Sequence, residues 1–563
     1  MPTVLLILLG ALLPVLVAWA LGSLVTRKLP DVSAPAAFAL GAGLESTLIF
    51  GLLCAGAATG PVLAGCCAAA LLLLLARGVV KVDLVMPRYA AGVLGVYAVI
   101  YFVYALAPEI QPDGVAYHLA LVAEYARLGR FPDRVGFFEM LPQGLEMLMA
   151  PAFLVGKHSA AKLVHFAFLL ASVPLFLSIG RRLELREEIS AAAAVFYFCA
   201  PIVGITGTST YTDVALVFFA LASADMLLVW RKSGKDRYLL AAGALAGFCY
   251  AVKFNGAFVI VAAAMLILAT RRIRFVLVLG AGVALAVTPW ILRNTLVAEN
   301  PFAPLFNAWF PNPYFHVAME RDLQRYWRSY EGVHRWQAPW ELAVGGRLQG
   351  IFGPLFLLLP MGALAIKERA GRWCAIAALM LSAGWLSNAG ARFVMPGYPF
   401  LAFTLAIAAA RFPRPALGSL VVLHAVACLP WVTALYQPGT TWGWPAFPLS
   451  AALRLESEEE YRIRAVGEYG LATLLRENTG TGDRIFTLVS VPRAYVERDV
   501  LTWWESAQND TLTESLLLAS LYAGTPFYDL EGAWPAESLS GVRFRLTTAH
   551  RGEWDLNEIR LYL

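Results

Sequence analysis

Charged residues are scarce in this chain of 563 residues: aspartate, glutamate, lysine and arginine make up 15% of it, against 59% for hydrophobic residues. A soluble domain carries about a quarter charged residues, so this deficit excludes an ordinary soluble protein and predicts an integral membrane protein. The apolar residues form separate runs of about 16–22 residues, the length of a helix across a bilayer. The short alternating pattern of an outer-membrane barrel is missing from the sequence.

Motifs for metal and nucleotide chemistry are missing as well. The sequence has no His-Glu-x-x-His, no paired-cysteine spacing, no Walker loop, no dinucleotide-type glycine motif and no Gly-x-Ser-x-Gly. It therefore indicates no required cofactor, and it supports no metal site. The seven cysteines all fall inside hydrophobic runs, which predicts small buried side chains and not disulfides: Cys54, Cys66, Cys67, Cys199, Cys249, Cys374 and Cys428.

The hydrophobic runs predict about fourteen membrane crossings. No basic segment precedes the first run, so we interpret it as a retained helix and not a cleaved signal peptide. A further apolar segment, 142–156, is short, and parity requires it not to cross, so we predict a re-entrant or interfacial helix there. The predicted spans are 3–24, 35–57, 60–76, 90–107, 160–180, 188–205, 211–230, 237–252, 255–270, 275–292, 348–366, 373–390, 393–411 and 416–435.

Basic residues orient these spans, because cytoplasmic loops carry an excess of lysine and arginine. The net charge of +5 is therefore a topology signal, and with no basic patch it gives no indication of nucleic-acid binding. On this topology the loops 108–159 and 293–347 and everything after about 436 lie outside the cytoplasm. Every second short loop is basic: Arg27 and Lys28; Arg77, Lys81 and Arg88; Arg181, Arg182 and Arg186; Arg231, Lys232, Lys235 and Arg237; Arg271, Arg272 and Arg274; Lys367, Arg369 and Arg372; Arg411 and Arg414.

Two acids lie at the predicted outer ends of spans. Asp113 follows the fourth span, and Asp213 opens the seventh. A carboxylate at that depth costs free energy unless it has a partner or a function, so we predict that both are catalytic. Helix N-capping is the alternative for each, because aspartate accepts hydrogen bonds from the first turn of a helix.

Cations on the same predicted side provide a complement to these acids. Lys253, Arg293 and Arg392 each adjoin the outer end of a span, where they are suited to hold phosphate. Snorkelling to the interface or capping of helix C-termini explains them equally well. The remaining candidates for substrate binding are Tyr117, His118, Glu146 and Tyr211.

The order of these segments resembles the GT-C superfamily of bacterial membrane glycosyltransferases, in the branch of the protein O-mannosyltransferases and aminoarabinose transferases (glycosyltransferase family 39-like). The resemblance covers about residues 90–411. Gly114 departs from it, since the mannosyltransferase branch has Asp-Glu there, and no metal-binding Asp-x-Asp is present. The segments that carry the resemblance are Asp113 with Tyr117-His118, Pro142-Gln143-Gly144-Leu145-Glu146, Ala161-Lys162-Leu163-Val164-His165, Tyr211-Thr212-Asp213, Lys253-Phe254-Asn255-Gly256, Pro289-Trp290 with Arg293-Asn294 and Asn300-Pro301, and Arg392-Phe393 with Pro396 and Pro399.

The resemblance implies an all-α polytopic membrane protein with a conserved seven-helix module. Residues 90–292 are the expected module, with its first external loop at 108–159. Residues 1–89 are the expected N-terminal additional helices, and 293–435 hold a further external loop and the C-terminal transmembrane helices. The expected extracytoplasmic domain at 436–563 is small and α/β or β-rich, with a helix over 455–478 and strands at 483–489, 542–548 and 558–563.

The resemblance also implies transfer of a sugar from a polyprenyl phosphate to a lipid, glycan or protein acceptor on the outer face of a bacterial inner membrane. Asp113 corresponds to the catalytic loop acid and Asp213 to the second acid, and Lys253, Arg293 and Arg392 to contacts of the donor phosphate. Metal is optional in such a reaction. A transporter or lipid-glycan flippase stays open as an alternative, because internal charges also mark translocation paths, and so does an O-antigen-ligase or polymerase-type enzyme.

Overall fold

The computed structural model describes residues 3–77, 82–329, 333–433 and 447–521. Helices dominate these ranges, as the membrane-protein prediction requires. The helices are α1 Val4–Val25, α2 Ala34–Cys54, α3 Gly60–Arg77, α4 Arg88–Leu106, α5 Leu119–Leu128, α6 Phe137–Met140, α7 Gly144–Arg182, α8 Glu187–Phe198, α9 Pro201–Gly207, α10 Asp213–Ser233, α11 Asp236–Val252, α12 Ala257–Leu268, α13 Ile273–Ala298, α14 Val317–Arg328, α15 Ala338–Trp340, α16 Arg369–Leu381, α17 Tyr398–Ala409, α18 Arg414–Thr433, α19 Leu449–Ala452, α20 Glu458–Ala465, α21 Tyr469–Asn478 and α22 Ala507–Leu521, with a 3-10 helix at Pro354–Lys367 between α15 and α16.

Each predicted span coincides with one of these helical segments. Within the described ranges, seven helices are long and apolar enough to cross a membrane, and the bent pair α8–α9 makes up to eight. The other predicted spans correspond to the shorter helices α3, α11, α12, α16 and α17 and to the 3-10 helix. The all-α polytopic fold class is confirmed, with predicted spans that are roughly consistent with the observed helices.

The helices pack closely enough to bring the ends of distant segments together. Helix α1 packs along α2 and α7, α10 packs between α7 and α11, and α11 packs on α13. Glycine permits the tightest of these contacts: a Cβ on Gly41 of α2 would lie 1.8 Å from the carbonyl oxygen of Ala18 on α1. Small residues at helix crossings are the usual device for close packing in membranes.

Helix α7 contains a break that the hydrophobic pattern only partly indicated. Lys157 has φ 55° and ψ −144°, outside the helical region, and separates residues 144–156 from the rest of the helix. The first part is the segment predicted to be re-entrant. It is held by neighbouring helices, since the Ser46 hydroxyl donates to the carbonyl of Gly144 at 2.7 Å.

The C-terminal segment has a mixed α/β structure. Strands β1 Arg484–Thr487 and β2 Asp499–Thr502 pair in parallel, with Arg484 opposite Asp499. The helix expected over 455–478 is instead two helices, α20 and α21, because the chain turns at Glu468, which has φ 56°. The strands predicted at 542–548 and 558–563 lie outside the described residues.

The cysteines are all free within the structure, as expected, but two of them differ from the prediction of burial. Cys54 and Cys66 are exposed, whereas the other five are buried. A hydrophobic run identifies a helix without showing which of its faces other helices cover. Exposed apolar faces on such helices are suited to contact lipid.

Candidate functional site

Four of the charged residues singled out from the sequence form one cluster. The Arg392 guanidinium lies 2.7 Å from the Asp113 carboxylate and 3.7 Å from that of Asp213. Lys253 Nζ lies 2.6 Å from the other oxygen of Asp213. Arg392 therefore links the two acids, and Asp213 links the two cations. We call these four residues the charge cluster.

Different elements bring each member of the cluster to this place. Asp113 precedes the helical turn Gly114–His118, and Asp213 is the first residue of α10. Lys253 directly follows the last residue of α11, and Arg392 lies in the short turn Ala391–Phe393 before α17. The ends of four hydrophobic segments thus meet, as expected for residues that share one predicted side of the membrane.

N-capping does not account for the acids. The Asp113 side chain makes no capping hydrogen bond although the residue directly precedes a helical turn. Asp213 lies inside the first turn of α10, after the N-cap residue Thr212. Their ion pairs with Arg392 and Lys253 are the contacts that the structure gives these carboxylates.

Exposure differs between the two acids of the cluster. The side chain of Asp213 is 1% exposed, whereas that of Asp113 is 29% exposed. Arg392 and Lys253 lie between these values, at 13% and 19%. Asp113 is therefore the accessible acid, and Asp213 is the buried counter-ion that holds both cations.

The charges also shift the pKa values of the accessible groups. Burial raises the pKa of Asp113, but Arg392, with His118 and Lys253, lowers it, and the net pKa lies below the ordinary value of an aspartate. Burial, together with Arg392, lowers the pKa of Lys253 below its ordinary value although Asp213 acts in the opposite direction. Asp113 is consequently a carboxylate at neutral pH.

Aromatic rings line the cluster. The Arg392 guanidinium lies over the ring of Tyr211 with 4.8 Å to its centroid, and Lys253 Nζ lies 5.5 Å from the centroid of Phe393. Tyr117 stacks on Phe138 with centroids 3.9 Å apart and an interplanar angle of 4°. Cation–π contact with these rings supplements the ion pairs of the two cations.

His118 and Glu146 form a second, adjoining pair. His118 Nδ1 lies 2.5 Å from Glu146 Oε1, and both side chains are buried. The other ring nitrogen of His118, Nε2, is buried without a hydrogen-bond partner within the described structure. The sequence placed His118 and Glu146 among the binding candidates, and the structure brings them together.

Arg293 lies elsewhere. Its guanidinium donates to the carbonyl of Glu139 at 2.9 Å and lies over the ring of Phe131, 4.2 Å from the centroid. Neither contact belongs to the charge cluster. The place of Arg293 at the end of a predicted span indicates its depth in the membrane but not the direction of its side chain. Its role toward donor phosphate therefore stays a prediction.

Two further residues position the site: Glu109, which was not singled out from the sequence, and His165, which was named only within a segment of the resemblance. The carboxylate of Glu109 accepts from the N–H of Thr210 at 2.6 Å and from its hydroxyl at 2.9 Å. His165 lies 3.0 Å from the carbonyl of Ser209 and accepts from the N–H of Ala215 at 3.1 Å. Together they fix the turn that carries Asp213. The signal for Glu109 was its place directly after a span, where an unpaired acid is costly.

Metal-ligating side chains do not converge in the described ranges, which contain no group of three or more His, Cys, Asp or Glu residues arranged to hold an ion. The optional nature of a metal stays a prediction. The arrangement that the structure does show is two carboxylates, a guanidinium and an ammonium in contact, with Asp113 partly exposed.

Comparison with known proteins gives a partial match in sequence and a fuller one in fold. Residues 148–292 match the family described as dolichyl-phosphate-mannose-protein mannosyltransferase. No curated protein matches the sequence. The fold is similar to that of ArnT from Cupriavidus metallidurans, a protein solved both bound to undecaprenyl phosphate and in the apo state.

The two ArnT structures match to nearly the same extent. For the bound form the TM-score is 0.50 at 14% identity, with 73% of this chain and 85% of that chain covered. For the apo form it is 0.51 at 15% identity, with 77% and 88% covered. At these identities the likeness is one of fold. The family match extends from α7 to α13 and includes Asp213 and Lys253.

Proposed function

We propose that the chain is a membrane glycosyltransferase of the GT-C type and that it transfers a sugar from a polyprenyl-phosphate donor to an acceptor outside the cytoplasm. The observation that carries this proposal is the charge cluster, in which an accessible acid and two cations meet at the ends of membrane helices. The fold shared with ArnT, whose solved complex contains undecaprenyl phosphate, supports the class of donor.

The charges of the cluster suit a phosphate ester. Two carboxylates and two cations balance, so the cluster alone carries no net charge. A guanidinium offers a planar fork to phosphate oxygens, and an ammonium offers a point charge. Arg392 and Lys253 are the donor-phosphate contacts in this proposal, and Asp213 keeps both in place.

The transfer step follows from these roles. Asp113 accepts the proton of an acceptor hydroxyl, and the oxygen attacks the anomeric carbon of the sugar. The bond from that carbon to the phosphate oxygen breaks, and its electron pair stays on the polyprenyl phosphate. Arg392 and Lys253 stabilise the charge on this leaving group. In-line attack inverts the anomeric centre.

Donor binding also prepares the base. The contact with Arg392 lowers the pKa of Asp113 and weakens it as a proton acceptor. When the donor phosphate shares the guanidinium, this pull on Asp113 decreases and its basicity rises. Acceptor deprotonation is thereby coupled to the presence of donor. Tyr117 and Tyr211 offer faces for the sugar, and His118 with Glu146 offers polar contacts.

The test compares Asp113→Asn with Asp133→Asn in a deletion strain that expresses either chain. Asp133 is a matched control, because it lies in the same loop but is 73% exposed and pairs only with Arg130 in the described structure. Loss of a general base lowers the rate of transfer roughly 10²–10⁴-fold. Mass spectrometry of envelope glycolipids and glycoproteins is the readout, with undecaprenyl phosphate binding as a measure of folding.

We expect Asp113→Asn to bind undecaprenyl phosphate and to lose the glycan product, and Asp133→Asn to resemble the wild type. A wild-type glycan profile in Asp113→Asn would refute the role of the acid. An unchanged profile in the deletion strain itself would refute the transferase proposal and favour a transport function.

A further inference from the structure

The C-terminal segment contacts the loop that carries the proposed catalytic acid. The turn Arg493–Tyr495 lies against the helical turn Gly114–His118 and against α5. The Tyr495 hydroxyl donates to the carbonyl of Glu109 at 2.5 Å. Glu109 lies shortly before Asp113 in the chain, and its side chain fixes the turn before Asp213. The Tyr495 hydroxyl therefore contacts a residue that adjoins both acids.

A buried ionic network joins the same segment to α6. Arg493 lies 3.0 Å from the carboxylate of Glu139 and 2.9 Å from that of Glu505. Arg134 lies 2.7 Å from Glu139, whose side chain is fully buried. The N–H of Phe137 donates to the backbone carbonyl of Glu505 at 2.8 Å. Helix α6 is thus held by residues that come more than 350 positions later in the chain.

Helix α6 in turn contacts the helical turn that follows Asp113. Its residue Phe138 stacks on Tyr117, and Trp504 packs against the edge of Phe138 with centroids 5.5 Å apart. Tyr117 lies in the turn that directly follows Asp113. The path from Arg493 through Glu139 and the neighbouring Phe138 to Tyr117 begins with two buried charged side chains and ends with two half-buried rings.

We propose that Arg493, Tyr495, Trp504 and Glu505, here called the C-terminal contact residues, are positioning residues that hold Asp113 and Tyr117 in their reactive geometry. The inference rests on the proposed function. Buried ion pairs add little net stability because of the desolvation of both charges, but they impose a specific geometry. The first external loop, 108–159, needs such contacts to hold one conformation, because its helices α5 and α6 are only ten and four residues long.

The experiment uses the full chain with Arg493→Gln, the conservative Arg493→Lys, and the control Arg464→Gln. Arg464 belongs to the same segment, but its side chain is 55% exposed and its ion pair with Glu456 shares no residue with the network. Misplacement of a reactive group by about 1 Å lowers turnover on the order of 100-fold. We expect Arg493→Gln to lower kcat to that extent with little change in the KM for donor. Arg493→Lys should recover part of the loss, and the control should resemble the wild type.

Hydrogen exchange provides a readout that does not depend on the reaction. We expect amides of 109–119 and 137–141 to exchange faster in Arg493→Gln, and in the milder Tyr495→Phe, than in Arg464→Gln. Unchanged exchange at these amides would overturn the inference even if transfer falls. Faster exchange with wild-type kcat would overturn it as well. Failure of the proposed function would appear instead in Asp113→Asn, and it would leave the exchange result standing.

Discussion

At the scale of single residues, Arg392 determines what Asp113 does. The guanidinium contacts both acids, so its removal changes the proton affinity of the accessible carboxylate as well as the charge available to the donor. The lowered pKa of Asp113 also makes the stability of the folded protein depend on pH. Its ion pair contributes fully above the ordinary aspartate pKa of about 3.9, and that contribution is lost as the pH falls through the lowered value.

We therefore expect Arg392→Gln to move the acid limb of the pH profile of kcat/KM to higher pH. Without the arginine, burial dominates and raises the pKa of Asp113. Loss of such a partner corresponds to roughly 1–3 pH units. Arg130→Gln is the control, because this residue pairs with exposed Asp133 in the same loop. An acid limb that stays in place in Arg392→Gln would mean that Asp113 is not the titrating base.

The sequence predicted the members of the charge cluster better than their supporting residues. Hydrophobic runs mark the ends of spans and loop charge assigns a side, so Asp113, Asp213, Lys253 and Arg392 were expected to share one surface. The orientation of a side chain around its helix is not encoded in that pattern, which explains the separate place of Arg293. The pairing of Glu139 with Arg493 joins residues 354 positions apart, and only the tertiary structure brings them together.

At the scale of helices, glycine sets how closely α1 and α2 approach. A Cβ on Gly41 would lie 1.8 Å from Ala18 O, whereas one on Gly51 of the same helix would meet nothing within 4 Å. Hydropathy identified both helices correctly but not this difference, because a glycine at a crossing and a glycine facing outward give the same pattern.

We expect Gly41→Ala to lower the midpoint of thermal unfolding in detergent and Gly51→Ala to keep or raise it, because alanine favours a helix more than glycine does. The added methyl group at position 41 forces the two helices apart, at a cost of about 1–3 kcal/mol. At position 51 the same substitution adds a methyl group in open space. Equal midpoints for the two variants would show that the α1–α2 contact contributes nothing to stability.

At the scale of the whole molecule, the proposed function depends on the orientation in the membrane. The alternating basic loops predict that the charge cluster and the C-terminal segment lie outside the cytoplasm. Asp133 in the first long loop and Lys235 in the loop before α11 are both exposed, and the topology assigns them to opposite sides.

Labelling of single cysteines tests this orientation. In a chain whose exposed Cys54 and Cys66 are replaced by alanine, we expect an impermeant maleimide to label Asp133→Cys in cells with an intact inner membrane. Lys235→Cys should react only after that membrane is permeabilised. The reverse pattern would place the site in the cytoplasm and would contradict donor use at the outer face.

The pairing of Glu139 with Arg493 also affects biosynthesis. The first long loop emerges from the ribosome early, but its partner follows 354 residues later. At about 5–20 residues per second, translation of that interval takes roughly 20–70 s. During this time the helices insert while α6 lacks its partner Arg493, although all four residues of the charge cluster have already been made. A chain that ends before Arg493 therefore lacks this restraint on the first external loop.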